Sequence, residues 1–154
     1  MQLSDILNQD AVRSRAAASS KKRLFHDLGE MAEACYGHAP GAVIEALLDR
    51  EVLGPTGVGH GVALPHARLA DVAEVQGLFL RLEKPLDFDA VDRQPVDLVF
   101  ALLAPLDAGV DHLKALALVS RTMRNQSVCG KLRANSDPAT LHTILTEATS
   151  SQAA

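Results

Sequence analysis

The sequence predicts an α/β fold, in which helices on both faces of one mixed central β-sheet form a single-domain, three-layer sandwich. Three observations support this prediction. The run from Val96 to Ala104 is almost uniformly apolar, as is typical of a central strand buried on both faces. Helical and strand-like patterns alternate along the chain without an internal repeat. The 154 residues are 47% hydrophobic and contain no obvious linker, so residues 1–154 are expected to form one domain.

The first third of the chain is predicted to contain an edge strand and two helices. Residues 11–16 alternate small or apolar residues with arginines, which indicates an edge strand. Ser19 or Ser20 caps a helix whose apolar positions recur at spacings of four, three and four, namely Leu24, Leu28, Met31 and Cys35. Pro40 and Gly41 start a second helix, which places Val43, Leu47 and Arg50 on one face. A loop is expected over residues 54–61.

The middle of the chain is predicted to supply further strands. Val62–Leu64 is a short strand that ends at Pro65, because proline cannot donate a hydrogen bond to a sheet. His66 is therefore expected at the carboxyl edge of a strand. Val75–Leu82 carries Leu78, Leu80 and Leu82 on one side and predicts another member of the sheet.

Three helices are predicted in the last third of the chain. Asp111 is expected to cap the first of them, with an inward face made of Leu113, Leu116, Ala117 and Ser120. A second surrounds residues 128–132, and Asp137 with Pro138 opens the last. The tail over 149–154 is expected to be frayed.

Composition excludes several classes of function. The formal net charge is −4, so no general positive field attracts nucleic acid or an anionic membrane. The longest apolar stretch, Leu98–Leu106, is far shorter than the roughly twenty residues that cross a bilayer. No signal-peptide pattern opens the chain, and we expect a cytoplasmic protein without membrane insertion. The two cysteines, Cys35 and Cys129, form no CxxC pair and predict neither a disulfide framework nor a metal site.

A glycine-rich segment, GPTGVGHGVALPHAR, covers residues 54–68 and is the most informative part of the sequence. Glycine lets backbone N–H groups turn toward an anion and lets a partner approach closely. The spacing of Gly57, Gly59 and Gly61 is GxGxG, which matches neither the GxGxxG dinucleotide fingerprint nor a P-loop. A nucleotide site is therefore not expected.

This segment resembles the glycine-rich segment of the IIA proteins of the bacterial phosphotransferase system. The match is TGVGHGVALPHARL, residues 56–69, which ends in the PHxR or PHxK pattern whose histidine is phosphorylated in that family. The stretches 13–28, 85–105 and 111–121 resemble the nitrogen-regulatory branch of the family in particular.

The resemblance implies a site and a set of partners. His66 matches the phosphoryl acceptor, while Arg50 and His112 match an arginine and a second histidine that stabilise the phosphoryl group. The loop of Thr56, Gly57, Gly59 and Gly61 is expected to contact phosphate or partner. The implied donor is an HPr-like carrier charged from phosphoenolpyruvate by an enzyme I-type protein. Regulated targets would include potassium-transport or sensor proteins, and no cofactor or metal is implied.

The residue types suit this chemistry. An imidazole with an ordinary pKa of about 6.5 is largely neutral at cytoplasmic pH, so one ring nitrogen has a lone pair free to attack phosphorus. In-line phosphoryl transfer then needs mainly positioning and charge stabilisation. His112, in the first turn after the expected cap at Asp111, would be favoured as a neutral donor by the positive end of the helix. Such a protein is a phosphohistidine carrier rather than a free-standing enzyme of small molecules.

Some residues have a second interpretation. Arg50 also suits the carboxyl end of its helix, where a cation is favourable, and His112 suits a packed position near a helix start. His60 departs from the family pattern, and three roles are open for its imidazole. It binds phosphate, it pairs with His66 at a metal ion, or it is solvated, and solvation is the default interpretation. His26, His38 and His142 carry no motif and are expected on the surface. Lys21, Lys22 and Arg23 form a basic cluster that either contacts an acidic partner or is solvated.

Three other functions compete with the regulatory phosphocarrier. A sugar-transport IIA component would pass the phosphoryl group from His66 to a IIB domain. A pure binding module would keep the fold while His66 no longer reacts. A metal-dependent hydrolase is disfavoured, because no acidic general base accompanies the histidines at metal-ligand spacing.

Overall fold

A computed structural model describes residues 1–153, with side chains described as far as Ala148. The helices are α1 Leu3–Ile6, α2 Lys21–Tyr36, α3 Pro40–Val52, α4 Gly109–Met123, α5 Gln126–Arg133 and α6 Pro138–Ala153. The strands are β1 Val12–Arg15, β2 Gly57–Gly59, β3 Val62–Ala63, β4 His66–Leu69, β5 Gln76–Leu86 and β6 Val96–Pro105. The predicted frayed tail, 149–154, lies outside the residues whose side chains are described.

The six strands form one mixed sheet, which confirms the predicted fold class. Its order is β1-β5-β6-β3-β2, and β4 also pairs with β6. Strand β1 runs parallel to β5 at the edge, as predicted, and β5 runs antiparallel to β6. Both β3 and β4 pair in parallel with β6, so the short segment that contains His66 lies against the central strand.

Both faces of the central strands are covered. Every residue from Leu98 to Ala104 is buried, as the unbroken apolar run predicted. In β5, Leu78, Leu80 and Leu82 are buried on one face, while Phe79 on the other face packs edge-on against Phe100 with ring centroids 6.0 Å apart. Helices α2 and α3 pack against each other, and α4, α5 and α6 form a second group.

The predicted helix starts are confirmed at three places. The Ser20 side chain accepts a hydrogen bond from the N–H of Arg23 at the start of α2. Pro40 occupies the first turn of α3, where its missing N–H costs nothing. Asp137 accepts a hydrogen bond from the N–H of Thr140 at the start of α6.

The loop predicted over residues 54–61 is wrong in part, because it contains half of a β-hairpin. Strands β2 and β3 pair antiparallel, with Gly57 opposite Ala63 and Gly59 opposite Val62. His60 and Gly61 form the two-residue turn with φ of 56° and 78°. Such a turn requires positive φ at both positions, which glycine supplies readily and histidine rarely does. Strand β3 confirms the short strand predicted over Val62–Leu64, whereas β2, with the sequence Gly-Val-Gly, has no side-chain pattern that would have predicted it.

The prediction for α4 is wrong in its start and in its face. The helix begins at Gly109 with Ala108 as N-cap, so Asp111 lies within the first turn. Leu113 and Ala117 are exposed, and Leu116 and Ser120 are only half-buried. The buried face consists of His112, Ala115, Leu118, Val119, Thr122 and Met123. Apolar residues occur on every side of this helix, so their spacing alone did not indicate which face is buried.

No helix in the described part of the chain combines the length and the apolar character needed to cross a membrane.

Candidate functional site

His66 is the first residue of β4 and lies at a break in the sheet. Strand β3 ends before Pro65, as predicted, but pairing with β6 resumes at His66. The Pro65 carbonyl accepts a hydrogen bond from the N–H of Leu102 at 2.9 Å and keeps the chain in register across the break. Proline has no N–H to donate to a ladder, and it is tolerated here because the regular pairing is interrupted between Ala63 and His66.

Of the two nitrogens in the His66 ring, one is hydrogen-bonded and the other has no recorded partner among residues 1–148. Its Nδ1 lies 2.9 Å from the carbonyl oxygen of Leu64. A carbonyl oxygen only accepts, so Nδ1 carries the proton and donates it. In the neutral ring the lone pair is then on Nε2, which makes Nε2 the nucleophilic atom.

His112 extends from the buried face of α4 to the same place. Its ring is T-shaped to that of His66, with centroids 5.7 Å apart. The Nε of Arg68 lies 3.3 Å from His112 Nδ1, and because arginine only donates, Nδ1 accepts and Nε2 carries the proton. Within the described residues, this Nε2 is buried and has no hydrogen-bond partner.

Burial lowers the pKa of the His112 imidazole below its usual range, and the nearby His66 and Arg68 lower it further. The ring is therefore neutral at pH 7. The His112 backbone N–H donates to the Ala108 carbonyl oxygen at 2.8 Å, which places His112 at the end of the first turn of α4.

The two imidazoles line an open cleft of about 560 Å³ between α3, β4 and α4. Arg50 reaches this cleft from the last turn of α3, and its Nη1 donates to the Gly54 carbonyl oxygen at 3.0 Å. Arg50 therefore lies where both interpretations place it, at the carboxyl end of its helix and in the same cleft as His66. The full lining comprises Ala46, Asp49, Arg50, Leu53, His66, Ala67, Arg68, His112, Leu113 and Leu116.

The outer part of the cleft is apolar. Leu53 at the end of α3 is 83% exposed, and Leu113 on α4 is 66% exposed. Exposed leucines on opposite sides of one cleft form the kind of apolar surface that contacts other proteins.

Thr56 is the predicted loop residue that shares a cleft with residues of the site. A smaller adjoining cleft is lined by Thr56 together with Arg50 and His66. The Thr56 side chain is buried, and its hydroxyl and N–H donate to the Glu51 carboxylate at 2.7 and 2.9 Å. In this arrangement both donors of Thr56 are already used.

The glycines of the hairpin are fixed by packing. A Cβ at Gly57 would lie 2.7 Å from the Cβ of Ala90, and one at Gly61 would lie 2.5 Å from an Arg133 nitrogen. Gly59 has φ of 104° beside Asp92. None of the three lines the cleft of His66, so a contact with phosphate or partner remains a prediction for them.

His60 lies at the tip of the hairpin with an exposed side chain. Its N–H donates to Asp92 and its carbonyl accepts from Arg133. Among the described residues, no group of three or more His, Cys, Asp or Glu side chains is arranged to hold a metal ion. The solvated interpretation of His60 fits this position.

Two of the histidines without a motif are not purely surface residues. His38 pairs with Gln76 through Nε2 at 2.6 Å, and the Nε2 of His142 lies 3.0 Å from the Leu7 carbonyl oxygen. His26 is exposed, as expected.

The basic cluster is not a free surface. Lys21 Nζ contacts the Glu51 carboxylate at 2.6 Å and the Phe88 carbonyl oxygen at 3.0 Å. Arg23 pairs with Asp27 one turn later in α2. Of the three residues, Lys22 alone keeps an exposed side chain for which the structure records no partner within residues 1–148.

Sequence reasoning missed Arg68 as a part of the site and Glu51 as the hydrogen-bond partner of Thr56. Arg68 follows His66 by two residues in β4, and strand periodicity places such residues on one face. That signal was present in the PHAR motif. Glu51 adjoins Arg50, but its bonds to Lys21 and Thr56 depend on tertiary packing.

The sequence was compared with models of known protein families, and the match identifies the class of protein to which this fold and this pair of histidines belong. Residues 5–148 match the family described as "Phosphoenolpyruvate-dependent sugar phosphotransferase system, EIIA 2". This match covers nearly the whole chain, and the protein belongs to that family of IIA proteins.

Particular relatives indicate the branch. The chain is 45% identical to a nitrogen regulatory protein of Bradyrhizobium diazoefficiens, over 94% of this chain and 95% of the relative. It is 43% identical to the nitrogen regulatory protein of Escherichia coli K12, over 96% and 91% of the two chains. The crystal structure of nitrogen regulatory protein IIA-Ntr from Neisseria meningitidis superposes with a TM-score of 0.87 at 37% identity, covering 94% of this chain and 99% of that one. These findings confirm the predicted resemblance and support a role as phosphocarrier or regulator.

Proposed function

We propose that this protein accepts a phosphoryl group on Nε2 of His66 from a phosphorylated HPr-like carrier. The observation that carries the proposal is the hydrogen bond from His66 Nδ1 to the Leu64 carbonyl oxygen at 2.9 Å. This bond fixes the tautomer, so the nucleophilic lone pair is always on the same nitrogen. A nucleophile fixed in this way needs no general base, since Nε2 has no proton to lose.

The phosphoryl transfer needs only the donor phosphohistidine and His66, with no further reactant. The Nε2 lone pair of His66 attacks phosphorus as the donor's P–N bond breaks, and the bonding electrons return to the donor nitrogen. The His66 ring then carries a positive charge shared by its two nitrogens. The Leu64 carbonyl stabilises that charge through Nδ1–H, and release of the Nδ1 proton to solvent later neutralises the ring.

Charge on the three phosphoryl oxygens is stabilised by groups around the cleft. Arg50 supplies a permanent positive charge at its edge. His112 supplies a buried Nε2–H that has no partner among the described residues. A preorganised donor of this kind, aimed at developing charge, commonly contributes about 10²- to 10³-fold in rate.

The rim of the cleft suits a protein donor. Leu53 and Leu113 expose apolar surface on its two sides, while Arg50 and Arg68 place positive charge between them. A carrier that presents a phosphohistidine amid apolar residues would bury these leucines as its phosphoryl group enters the cleft.

Regulation follows from the charge that phosphorylation adds. A phosphoryl group carries roughly −1.5 to −2 charges at pH 7, enough to change the sign of the field at the cleft mouth. A target that docks on the same apolar rim would therefore distinguish the two states. The implied targets are potassium-transport or sensor proteins, and the proposed location of this protein is the cytoplasm.

The test is phosphotransfer followed by intact-mass measurement. Purified protein is incubated with phosphoenolpyruvate, enzyme I and an HPr-like carrier, alongside His66→Ala and the matched control His60→Ala. One acid-labile phosphate is expected on the wild type and on His60→Ala, and none on His66→Ala. Labelling of His66→Ala would move the acceptor to another residue. An unlabelled wild type beside a labelled control acceptor would favour the pure binding module.

A sugar-transport role is the second candidate, and one relative favours it. The chain is 38% identical over 106 residues to a protein of Haloferax volcanii named as the fructose-specific EIIA component. Rapid loss of phosphate from labelled protein to a fructose-type IIB domain would support this role. Retention of the label in the presence of that domain would support the regulator.

A further inference from the structure

Arg68 occupies a position between the two histidines and the edge of the cleft. It lies in β4 opposite Ala104 of the central strand, so its backbone is fixed by the sheet. Its side chain is exposed overall, yet Nε donates to His112 Nδ1 at 3.3 Å and Nη1 reaches the Leu106 carbonyl oxygen at 3.5 Å. The guanidinium thus ties the His66 strand to the start of α4.

The bond to His112 has a chemical consequence. Arginine stays protonated, so it can donate to Nδ1 only while that nitrogen has a free lone pair. This excludes both the neutral tautomer with its proton on Nδ1 and the doubly protonated ring. The remaining form carries its single proton on Nε2, the buried atom with no partner among the described residues.

The alternative tautomer would be unproductive. It would present a lone pair instead of a proton at Nε2, and that lone pair would repel the phosphoryl oxygens. A doubly protonated His112 would hold the phosphoryl group by charge and so oppose its onward transfer. A neutral ring with the proton on Nε2 avoids both outcomes.

We propose that Arg68 is a positioning residue that holds His112 in the tautomer and orientation needed to donate from Nε2 to the phosphoryl group on His66. The inference rests on the proposed function, since it assigns a part in that same transfer. Arg68 acts through His112 and is distinct from a direct phosphate ligand. Partners that orient metal-bound imidazoles commonly contribute about 10- to 100-fold to affinity or activity, and an effect of similar size is expected for Arg68.

The first test is ¹⁵N NMR of the histidine rings in the unphosphorylated protein, which requires no phosphotransfer. In the wild type at pH 8 the His112 Nδ1 should appear as an unprotonated, hydrogen-bonded nitrogen. In Arg68→Gln its signal should shift, and a fraction of His112 should carry its proton on Nδ1. Arg68→Lys, which keeps a cationic donor, should restore part of the wild-type signal. Arg121→Gln, which removes an exposed arginine elsewhere on α4, should leave it unchanged.

The second test is a double-mutant cycle on the rate of phosphoryl transfer from the HPr-like carrier. Arg68→Gln should slow transfer about tenfold or more in the wild-type background. In the His112→Ala background the same change should have little further effect, because the ring that Arg68 positions is gone. A direct phosphate contact would instead slow transfer equally in both backgrounds.

The outcomes separate this inference from the proposed function. Unchanged His112 signals in Arg68→Gln, or equal effects in both backgrounds of the cycle, would overturn the positioning role while leaving phosphorylation of His66 intact. Absence of any label on His66 in the wild type would overturn the proposed function, whatever the NMR spectra show.

Discussion

Replacement of Glu51 by alanine should destabilise the protein markedly, because one carboxylate holds three segments together. It accepts hydrogen bonds from the Thr56 hydroxyl and N–H at 2.7 and 2.9 Å and pairs with Lys21 at 2.6 Å. Its side chain is 7% exposed and that of Lys21 is 23% exposed. The carboxylate thereby joins the end of α3, the segment before β2, and the start of α2.

The magnitude follows from what the change leaves behind. Glu51→Ala removes the carboxylate partner of the Lys21 ammonium, which keeps its contact with the Phe88 carbonyl oxygen, and leaves two donors of a buried threonine unpaired. Removing one partner of such a pair commonly costs about 3 kcal/mol of unfolding free energy. With an m-value of about 2 kcal/mol/M, the urea midpoint should fall by about 1.5 M. Glu51→Gln keeps an acceptor oxygen for Thr56 and should lose about half as much.

The assay is urea unfolding monitored by circular dichroism. The matched control is Glu45→Ala, an exposed glutamate on the same helix, which should change stability by no more than about 0.5 kcal/mol. A Glu51→Ala protein with the stability of that control would refute the reasoning. Combining Glu51→Gln with Lys21→Met should recover part of the loss, since no buried charge is then left unpaired.

Two further predictions concern glycine geometry and pH. Gly61→Ala should destabilise more than Gly37→Ala. Both glycines have positive φ, which costs about 1 kcal/mol in alanine. Of the two, Gly61 is the position at which a Cβ would meet a side chain, 2.5 Å from an Arg133 nitrogen. Equal losses of unfolding free energy in urea would contradict this packing argument. Burial lowers the pKa of His112 from its ordinary 6.5, so the unfolded chain takes up that proton first as the pH falls. Stability should therefore drop below about pH 6.5, less steeply in His112→Gln than in the control His26→Gln, and parallel pH profiles would show that His112 does not contribute.

The sequence predicted most helices and the long strands because their patterns are local. Ser20 and Pro40 mark helix starts through their own side-chain chemistry. The run around Phe100 needs no partner information to indicate a buried strand, since only a central strand tolerates so many apolar residues. Strand β3 was predicted from Val62–Leu64, but β2 and its pairing with β3 escaped prediction, because β2 is held by pairing and packing rather than by side-chain pattern.

The sequence predicted which residues form the candidate site more fully than it predicted the hydrogen bonds between them. The resemblance indicated His66, His112 and Arg50, and the structure brings all three to one cleft. It did not indicate which nitrogen of each ring is free. Those assignments depend on the Leu64 carbonyl and on Arg68, whose positions are set by the sheet.

By itself the sequence determined the fold class and the family, because these depend on periodicity and on contiguous motifs. The assignment of His66 as the phosphoryl acceptor comes from the same motif and stays a prediction. Only the tertiary structure decided that Asp111 is not the cap of α4, that Lys21 pairs with Glu51, and that Arg68 contacts His112. Hydrogen bonds and ion pairs between distant segments require interatomic distances that are correct to within a few tenths of an ångström. Packing of the whole chain fixes such distances, and no local pattern of residues encodes them.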